Sequence, residues 1–409
     1  MEDNGTIEIP KGKLVGCNWL VVKKLGEGGC GSVYLVKSLE DDSEAAMKCE
    51  SNFASGGCVL KLEVAILKKL ANKKHVAQLL GAARVTQYSY VVMTLLGESM
   101  NKIVKRLNRA VTVSTQCRIA ANMLFCMKQI HDIGFIHRDL KPANMALGKK
   151  GTSECRFFHI LDFGLARQYA VPSNNDPNRM KMRRPRDRAL FRGTTRYCSI
   201  RMHDRAEQGR VDDLWSMIYL LAELRGPLPW ATQSDKRIVG EMKRLHTDEV
   251  ILQNSPTEFL EIAAHLRTLT YFHRPDYFKI YMLIMAVMEK GRFEWDDPFD
   301  WEFGTTTKSL TPNKTRTPRK LTGPSPNRST MSKEMTNQSK ETTNKSKENA
   351  STPAKGESFS KEKMSTEIVG SNPSKEKEEY TPVDKERKAE MMIVLPFDPD
   401  FFQQDPIGF

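Results

Sequence analysis

An aspartate, a lysine two positions on and an asparagine three beyond that stand at Asp139, Lys141 and Asn144. The run Ile136-His137-Arg138-Asp139-Leu140-Lys141-Pro142-Ala143-Asn144 can hold all three in one tight loop. A carboxylate there can orient a hydroxyl nucleophile and accept its proton. An ammonium beside it can neutralise a migrating phosphoryl group. The amide oxygen can help hold a divalent metal. A second carboxylate follows at Asp162, where a buried strand, Phe157 to Leu161, delivers Asp162-Phe163-Gly164. An Asp at a strand end beside a Gly suits Mg²⁺, which prefers hard oxygen and few protein ligands.

Other elements must set these groups against phosphates. Residues 18–36 read as strand, turn, strand, and the turn is Gly26-Glu27-Gly28-Gly29-Cys30-Gly31, followed by Ser32 and Val33. Glycines there let the backbone approach phosphates with no Cβ in the way. The strand on both sides separates this turn from a Rossmann turn, which opens into a helix; a plain hairpin stays open. Ala45-Ala46-Met47-Lys48 puts a Lys at the end of an apolar strand, and a buried ammonium needs a partner. Residues 57–71 carry a helical stripe of Val59, Leu62, Ile66, Leu67 and Leu70, with Glu63 on its edge. An ion pair between Lys48 and Glu63 is expected, the alternative being a charge that merely flanks the stripe. A long helix capped by Ser114, with a stripe of Ile119, Met123, Cys126, Ile130 and Ile133, closes at Gly134 and leads into the Asp139 loop.

The chain has 409 residues, a formal charge of +13 and 39% apolar residues, enough for a sizeable core. Residues 305–390 are dominated by Ser, Thr, Lys, Glu, Asn and Pro, with Phe359 and Tyr380 the only aromatics. Such a stretch cannot offset its chain entropy by burial and reads as disordered. The eight cysteines form no C-x-x-C pair, which points to reduced thiols. No signal peptide is visible in the first twenty residues, and the longest apolar run, Ile280 to Met288, is too short to span a bilayer. A cytoplasmic or nuclear location and no membrane partner are expected. The basic balance admits nucleic acid, but no binding motif or aromatic interleaving supports a specific one.

The string His137-Arg138-Asp139-Leu140-Lys141-x-x-Asn144 resembles the catalytic loop of eukaryotic protein kinases, and the partner motifs follow the same order. The resemblance implies an α+β fold: a two-lobed kinase with a β-rich N-lobe, a mainly helical C-lobe and a disordered C-terminal tail. It implies that Asp139 orients the substrate hydroxyl, that Lys141 neutralises the γ-phosphoryl group, and that Asn144 and Asp162 hold Mg²⁺. Lys48, paired with Glu63, would anchor the phosphates of ATP beneath Gly26, Gly28, Gly31 and Val33. Met93 would be the gatekeeper, and the backbone at Thr94 and Leu96 would meet adenine. Lys141 and Gly193-Thr194 are serine/threonine-type markers. Ser199-Ile200-Arg201 stands where a typical kinase has Ala-Pro-Glu, a departure that resembles the casein kinase I group. Thr94-Leu95-Leu96-Gly97, Leu228-Pro229-Trp230 and Arg274-Pro275-Asp276-Tyr277 agree. Leu165-Ala166-Arg167-Gln168-Tyr169, Asp212-Asp213-Leu214-Trp215-Ser216 and Phe299-Asp300-Trp301-Glu302 look like the tau-tubulin kinase family. Asp213 would brace the catalytic loop.

Seven Arg or Lys lie between Arg179 and Arg192, with Asp187 the only acid. The patch is either a solvated loop or an anion-recognition surface, since Arg binds phosphate as a bidentate fork. The candidate anion site is Arg183, Arg184, Arg186 and Arg196, the last by its match to a phosphate-contacting position of the casein kinase I group. Expected substrates carry acidic or phosphorylated segments, cytoskeletal proteins among them, and the protein is expected to be a monomer. A catalytically weak scaffold binding acidic partners is the alternative. The expected organisation is an extension at 1–17, a kinase domain at 18–303 with lobes at about 18–96 and 97–303, the tail at 304–390, and an apolar segment at 391–409. That last segment carries Phe397, Phe401 and Phe402 and suggests docking, on the kinase itself or on a partner.

Overall fold

The computed structural model describes residues 7–28, 31–53, 59–174, 176, 179–302 and 396–408. The expected tail at 304–390 lies outside them.

The N-terminal lobe is an antiparallel sheet in the order β1-β2-β3-β4-β6-β5: β1 Leu14–Val15, β2 Trp19–Gly28, β3 Gly31–Ser38, β4 Glu44–Ser51, β5 Leu79–Arg84 and β6 Tyr88–Thr94. Its register places Gly26 opposite Val33, Val33 opposite Lys48 and Lys48 opposite Val91. The glycine-rich turn, the strand behind it and the lysine are therefore neighbours across one row. One sheet face closes over Val21, Tyr34, Val36, Ala45, Met47 and Val92. The sheet also takes in residues read as an extension: β1 pairs with β2, and Ile9 and Val15 are buried. Helix α1, Leu60–Lys69, buries Leu60, Glu63, Ile66 and Leu67 at helical spacing, so the carboxylate of Glu63 is carried inward with the apolar stripe.

The C-terminal lobe is built on α3, Val113–Asp132, which is buried from Ser114 to His131. Helices α2 Met100–Leu107, α4 Ile200–His203, α5 Arg210–Arg225, α6 Lys236–Leu245, α7 Asp248–Ile251, α8 Glu258–Arg267 and α9 Tyr277–Gly291 complete the lobe. A helix buried on all sides carries its polar residues only with partners, and α3 does: Asn122 accepts from the Phe158 N–H at 2.6 Å, and Gln116 donates to the Leu221 carbonyl at 3.0 Å. The N-cap is Thr112 rather than Ser114. The Thr112 N–H and hydroxyl both donate to Asp300, at 2.7 and 2.9 Å, while Ser114 donates to Asp297. Thr112 Oγ1 accepts from the Thr115 N–H at 3.3 Å, and the distant Asp300 holds that hydroxyl. Gly134, at φ +83°, ends the helical run as expected.

Short strands frame the chemistry. β7 Phe135–Ile136 pairs with β10 Arg167–Gln168, and β8 Met145–Leu147 with β9 Phe158–Ile160. The Asp139 loop lies between β7 and β8, and Asp162 leaves the end of β9. β11 Ala170–Pro172 pairs with β12 Met180–Met182. A last helix, α10 Pro399–Gln403, is capped by Asp398. No helix among the described residues is long and apolar enough to cross a membrane.

Candidate active site

Lys48 links the two lobes. Its Nζ donates to Glu63 Oε2 at 2.8 Å and to Asp162 Oδ1 at 3.0 Å, with Glu50 at 3.6 Å. One charge thus ties β4 to α1 and to the end of β9. Burial alone would lower the Lys48 pKa, but the attraction of Glu63 and Asp162 outweighs it and holds the ammonium well above its ordinary range. Burial would likewise raise Asp162, and Lys48 instead holds it below the usual carboxylate range. Asp162 has φ +66°, a left-handed conformation that costs energy for a residue with a Cβ. Its bond to Lys48 and the Gly164 N–H at 3.3 Å help fix the carboxylate there. The side chain of Asp162 is still 36% exposed, against 3% for Glu63, so Asp162 faces the space between the lobes.

Asp139 is 7% exposed and draws donors from three places. Lys141 Nζ donates to Oδ2 at 2.6 Å, Thr194 Oγ1 to Oδ1 at 2.7 Å, and Asn144 Nδ2 to the Asp139 carbonyl at 3.0 Å and to Oδ2 at 3.3 Å. The Asn144 nitrogen is committed, which leaves its amide oxygen for a cation. Gly193 permits the Thr194 approach: at φ +94°, a Cβ there would lie 2.4 Å from the Arg138 carbonyl. His137 is fully buried and packs edge-on to Phe163 at 5.6 Å, so the Asp139 and Asp162 segments share a core contact.

Asp213 holds the loop from below. It accepts from the His137 and Arg138 N–H groups at 2.7 Å each and from His131 Nε2 at 3.0 Å. Burial would raise its carboxyl, but the His131 bond and charge keep it below its ordinary value. In Asp213→Asn the amide nitrogen would face a donor. The expected loss is about 3 kcal/mol of unfolding free energy, read as a lower urea midpoint at unchanged m-value.

Among the phosphate-loop residues, a Cβ at Gly26 or Gly28 would meet nothing within 4 Å, whereas one at Gly31, φ +125°, would lie 2.0 Å from the Cys49 carbonyl. The first two face open space and the third is a fold requirement. The Thr94 N–H is spent on the Gln78 carbonyl at 3.0 Å, so that group is not available to an adenine. Leu96 is part-buried against the core.

The structure divides the four anion-site arginines. Arg183 and Arg184 are exposed, as are Arg188 and Arg192. Arg186 forks onto Glu207, Nη2 to Oε1 at 2.8 Å, and Arg167 reaches the same carboxylate at 3.1 Å. Arg196 pairs with Glu223 at 2.8 Å and donates to the Ala231 carbonyl at 2.6 Å. Arg186 and Arg196 therefore hold the segment in place. Glu207 and Glu223 had no sequence signal, because their partners are 21 and 27 residues away. Lys243 carries no sequence signal either. It is 1% exposed and donates to the Thr195 and Cys198 carbonyls at 2.8 and 2.6 Å, over the ring of Trp230. Burial pulls its pKa down to about 8.

The protein kinase domain model matches residues 19–275. A Caenorhabditis elegans protein named as a serine/threonine-protein kinase is 49% identical over 298 residues, 73% of this chain and 85% of that protein. A Dictyostelium discoideum protein named as a serine/threonine-protein kinase is 35% identical over 72% of this chain, which spans 59% of its length. An inactive tau-tubulin kinase of C. elegans is 36% identical over 61% of this chain and 89% of its own. The matched span contains Lys48, Glu63, Asp139, Asn144 and Asp162, the residues whose geometry could carry ATP-dependent phosphoryl transfer. The chain belongs to the protein kinase family and is a protein serine/threonine kinase.

Proposed function

We propose that this kinase belongs to the tau-tubulin kinase-like branch of the casein kinase I group and transfers the γ-phosphoryl group of ATP to Ser or Thr beside acidic or phosphorylated residues. The observation that carries the catalytic part is the pair of converging sets: Lys48 bridging Glu63 and Asp162, and Asp139 receiving Lys141 and Thr194. Asp139 orients the substrate hydroxyl, and Lys141, already at its carboxylate, takes up charge from the moving phosphoryl group. Lys48 holds the inner phosphates beneath Gly26 and Gly28, with Val33 against the base. The donor set fits Mg²⁺: a part-exposed carboxylate at Asp162 and the amide oxygen of Asn144, with phosphate oxygens and water for the rest. Mg²⁺ would neutralise phosphate charge there. The protein acts by positioning and by charges fixed in advance.

The substrate part rests on Arg183, Arg184, Arg188 and Arg192, which are exposed on the segment that ends at Gly193 and Thr194. Charge reversal of Arg183 and Arg184 to Glu is expected to raise KM for an acidic, phosphoprimed peptide about 10-fold while changing KM for a neutral peptide less than about 2-fold. Equal effects on both peptides would remove the acidic preference. Arg186 is left out because its loss would release Glu207. A cytoplasmic or nuclear location, a monomeric state and cytoskeletal proteins among the substrates belong to the same proposal. A weakly catalytic scaffold is the second reading, favoured by the inactive tau-tubulin kinase among the relatives; that name belongs to the relative.

A further inference from the structure

The C-terminal segment occupies a built groove. Phe397 is 1% exposed and Phe402 fully buried. Phe397 meets Phe125 of α3 at 5.0 Å, Trp295 at 5.6 Å, His75 at 5.7 Å and Phe157 at 5.8 Å between ring centroids. Phe402 stacks on Tyr281 of α9 at 4.3 Å. Polar tethers fix the register. The Tyr281 hydroxyl donates to the Phe397 carbonyl at 3.3 Å, Arg274 donates to the Gln404 carbonyl at 2.6 Å, and Arg274 lies 3.6 Å from Asp405. Lys128 of α3 is fully buried, and the ring of Phe401 sits 4.4 Å from its Nζ. The counter-charge of Lys128 is Asp132, which accepts from Nζ at 2.6 Å, and the Phe401 ring adds a cation–π contact from the C-terminal segment.

The groove touches three elements that feed the active site. His75 belongs to the loop that follows α1, the helix of Glu63. Its N–H donates to Glu154 at 3.1 Å, its ring stacks on Phe157 at 4.2 Å, and Gln129 of α3 holds the adjacent Lys74 carbonyl at 3.0 Å. Phe157 immediately precedes β9, the strand that ends at Asp162. At the far end, Ile407 packs on the cluster of Ile136, Tyr169 and Ala170 with Met180 and Met182, at the foot of the basic segment. A single ring, Phe397, thus lies behind the supports of two carboxylates that hold Lys48.

We infer that residues 396–408 are an intramolecular strap whose docking on α3 and α9 holds α1 and β9 in register, and with them the Lys48–Glu63–Asp162 set. Its occupant is this chain's own end, recognised by two phenylalanines five positions apart and by Arg274. The strap acts as a positioning element in cis and raises activity; it is not an inhibitor. The inference rests on the kinase reading for its activity readout alone.

The test uses the full chain with Phe397→Ala and Phe402→Ala together, and separately the milder pair Arg274→Ala and Tyr281→Phe, which leaves the aromatic contacts in place should the first variant fold poorly. Hydrogen exchange over residues 70–78 and 157–163, ATP affinity and kcat/KM for ATP are read with and without a free peptide of residues 396–408. Expected are exchange about 10-fold faster in both stretches, kcat/KM about 10-fold lower, and recovery when the peptide is added. The milder pair shifts each readout the same way by a smaller factor. Unchanged exchange and ATP affinity in both variants, or higher activity in either, would overturn the strap. A wild-type chain that transfers no phosphate would overturn the kinase reading instead, and exchange and ATP affinity would still decide the strap.

Discussion

Asp139→Asn is expected to cut kcat about 10³-fold, within the range for loss of a positioned general base, with ATP affinity changed less than about 2-fold. The substitution keeps the shape and removes the charge. The new amide oxygen could still accept from Thr194, now 2.7 Å from Oδ1, and the backbone carbonyl at this position would still receive Asn144. The partner that loses most is Lys141, 2.6 Å from Oδ2, since a neutral amide cannot balance its ammonium. The loop should persist, because Asp213 holds its backbone at His137 and Arg138 independently of the side chain at position 139. Steady-state kinetics beside equilibrium ATP binding check both halves. A fall in kcat of less than about 10-fold would remove Asp139 from the proton-accepting role.

Replacing Lys48 should have the next largest effect, and it separates charge from geometry. In Lys48→Met, Glu63, Glu50 and Asp162 lose their common cation while Glu63 stays 2% and Glu50 4% exposed. Breaking a buried pair from one side costs about 3–5 kcal/mol, so this variant is expected to lose both stability and transfer. Lys48→Arg keeps a cation for the three carboxylates and should melt close to wild type. It should nonetheless lose about 10²-fold in kcat/KM for ATP, because a planar guanidinium cannot occupy the point at 2.8 Å from Glu63 and 3.0 Å from Asp162 in the same way. Thermal melts beside ATP-dependence curves read the two terms. Full activity in the Arg variant would mean that charge alone matters at this position.

The parts of the site legible in the sequence are those whose logic is local. A lysine after an apolar run and a glutamate on the edge of an apolar stripe each asked for a partner, and they are each other's, although Lys48 lies inside β4, which continues to Ser51, and not at its end. Asp139, Lys141 and Asn144 lie within six residues, so their mutual bonds follow from one turn. The glycines of the phosphate loop announced a close backbone approach, although only the fold separates Gly31, pressed on the Cys49 carbonyl, from Gly26 and Gly28, which face open space. What stayed hidden depends on chain segments far apart in sequence. Ser114 was the expected cap, and the cap is Thr112, whose N–H and hydroxyl are held by Asp300, 188 residues away. Arg186 looked equivalent to Arg183 and Arg184 within the basic run, and only the fold pairs it with Glu207 and pairs Arg196 with Glu223. Lys243 lies on an amphipathic helix where a solvated lysine is the ordinary expectation, and only the packing of Trp230 and the 195–198 segment turns it inward. The apolar C-terminal stretch asked for cover but carried no sign of which surface supplies it; Tyr281, Phe125 and Trp295 come from three separate parts of the chain.

The most direct test of the central claim is transfer itself. The full chain is incubated with Mg²⁺ and ATP labelled in the γ-phosphate, with casein as acceptor, and the labelled amino acids are identified after hydrolysis. Label is expected on serine and threonine, and it is lost in Asp139→Asn. A folded wild-type chain that binds ATP and leaves casein and its own hydroxyls unlabelled would contradict that claim.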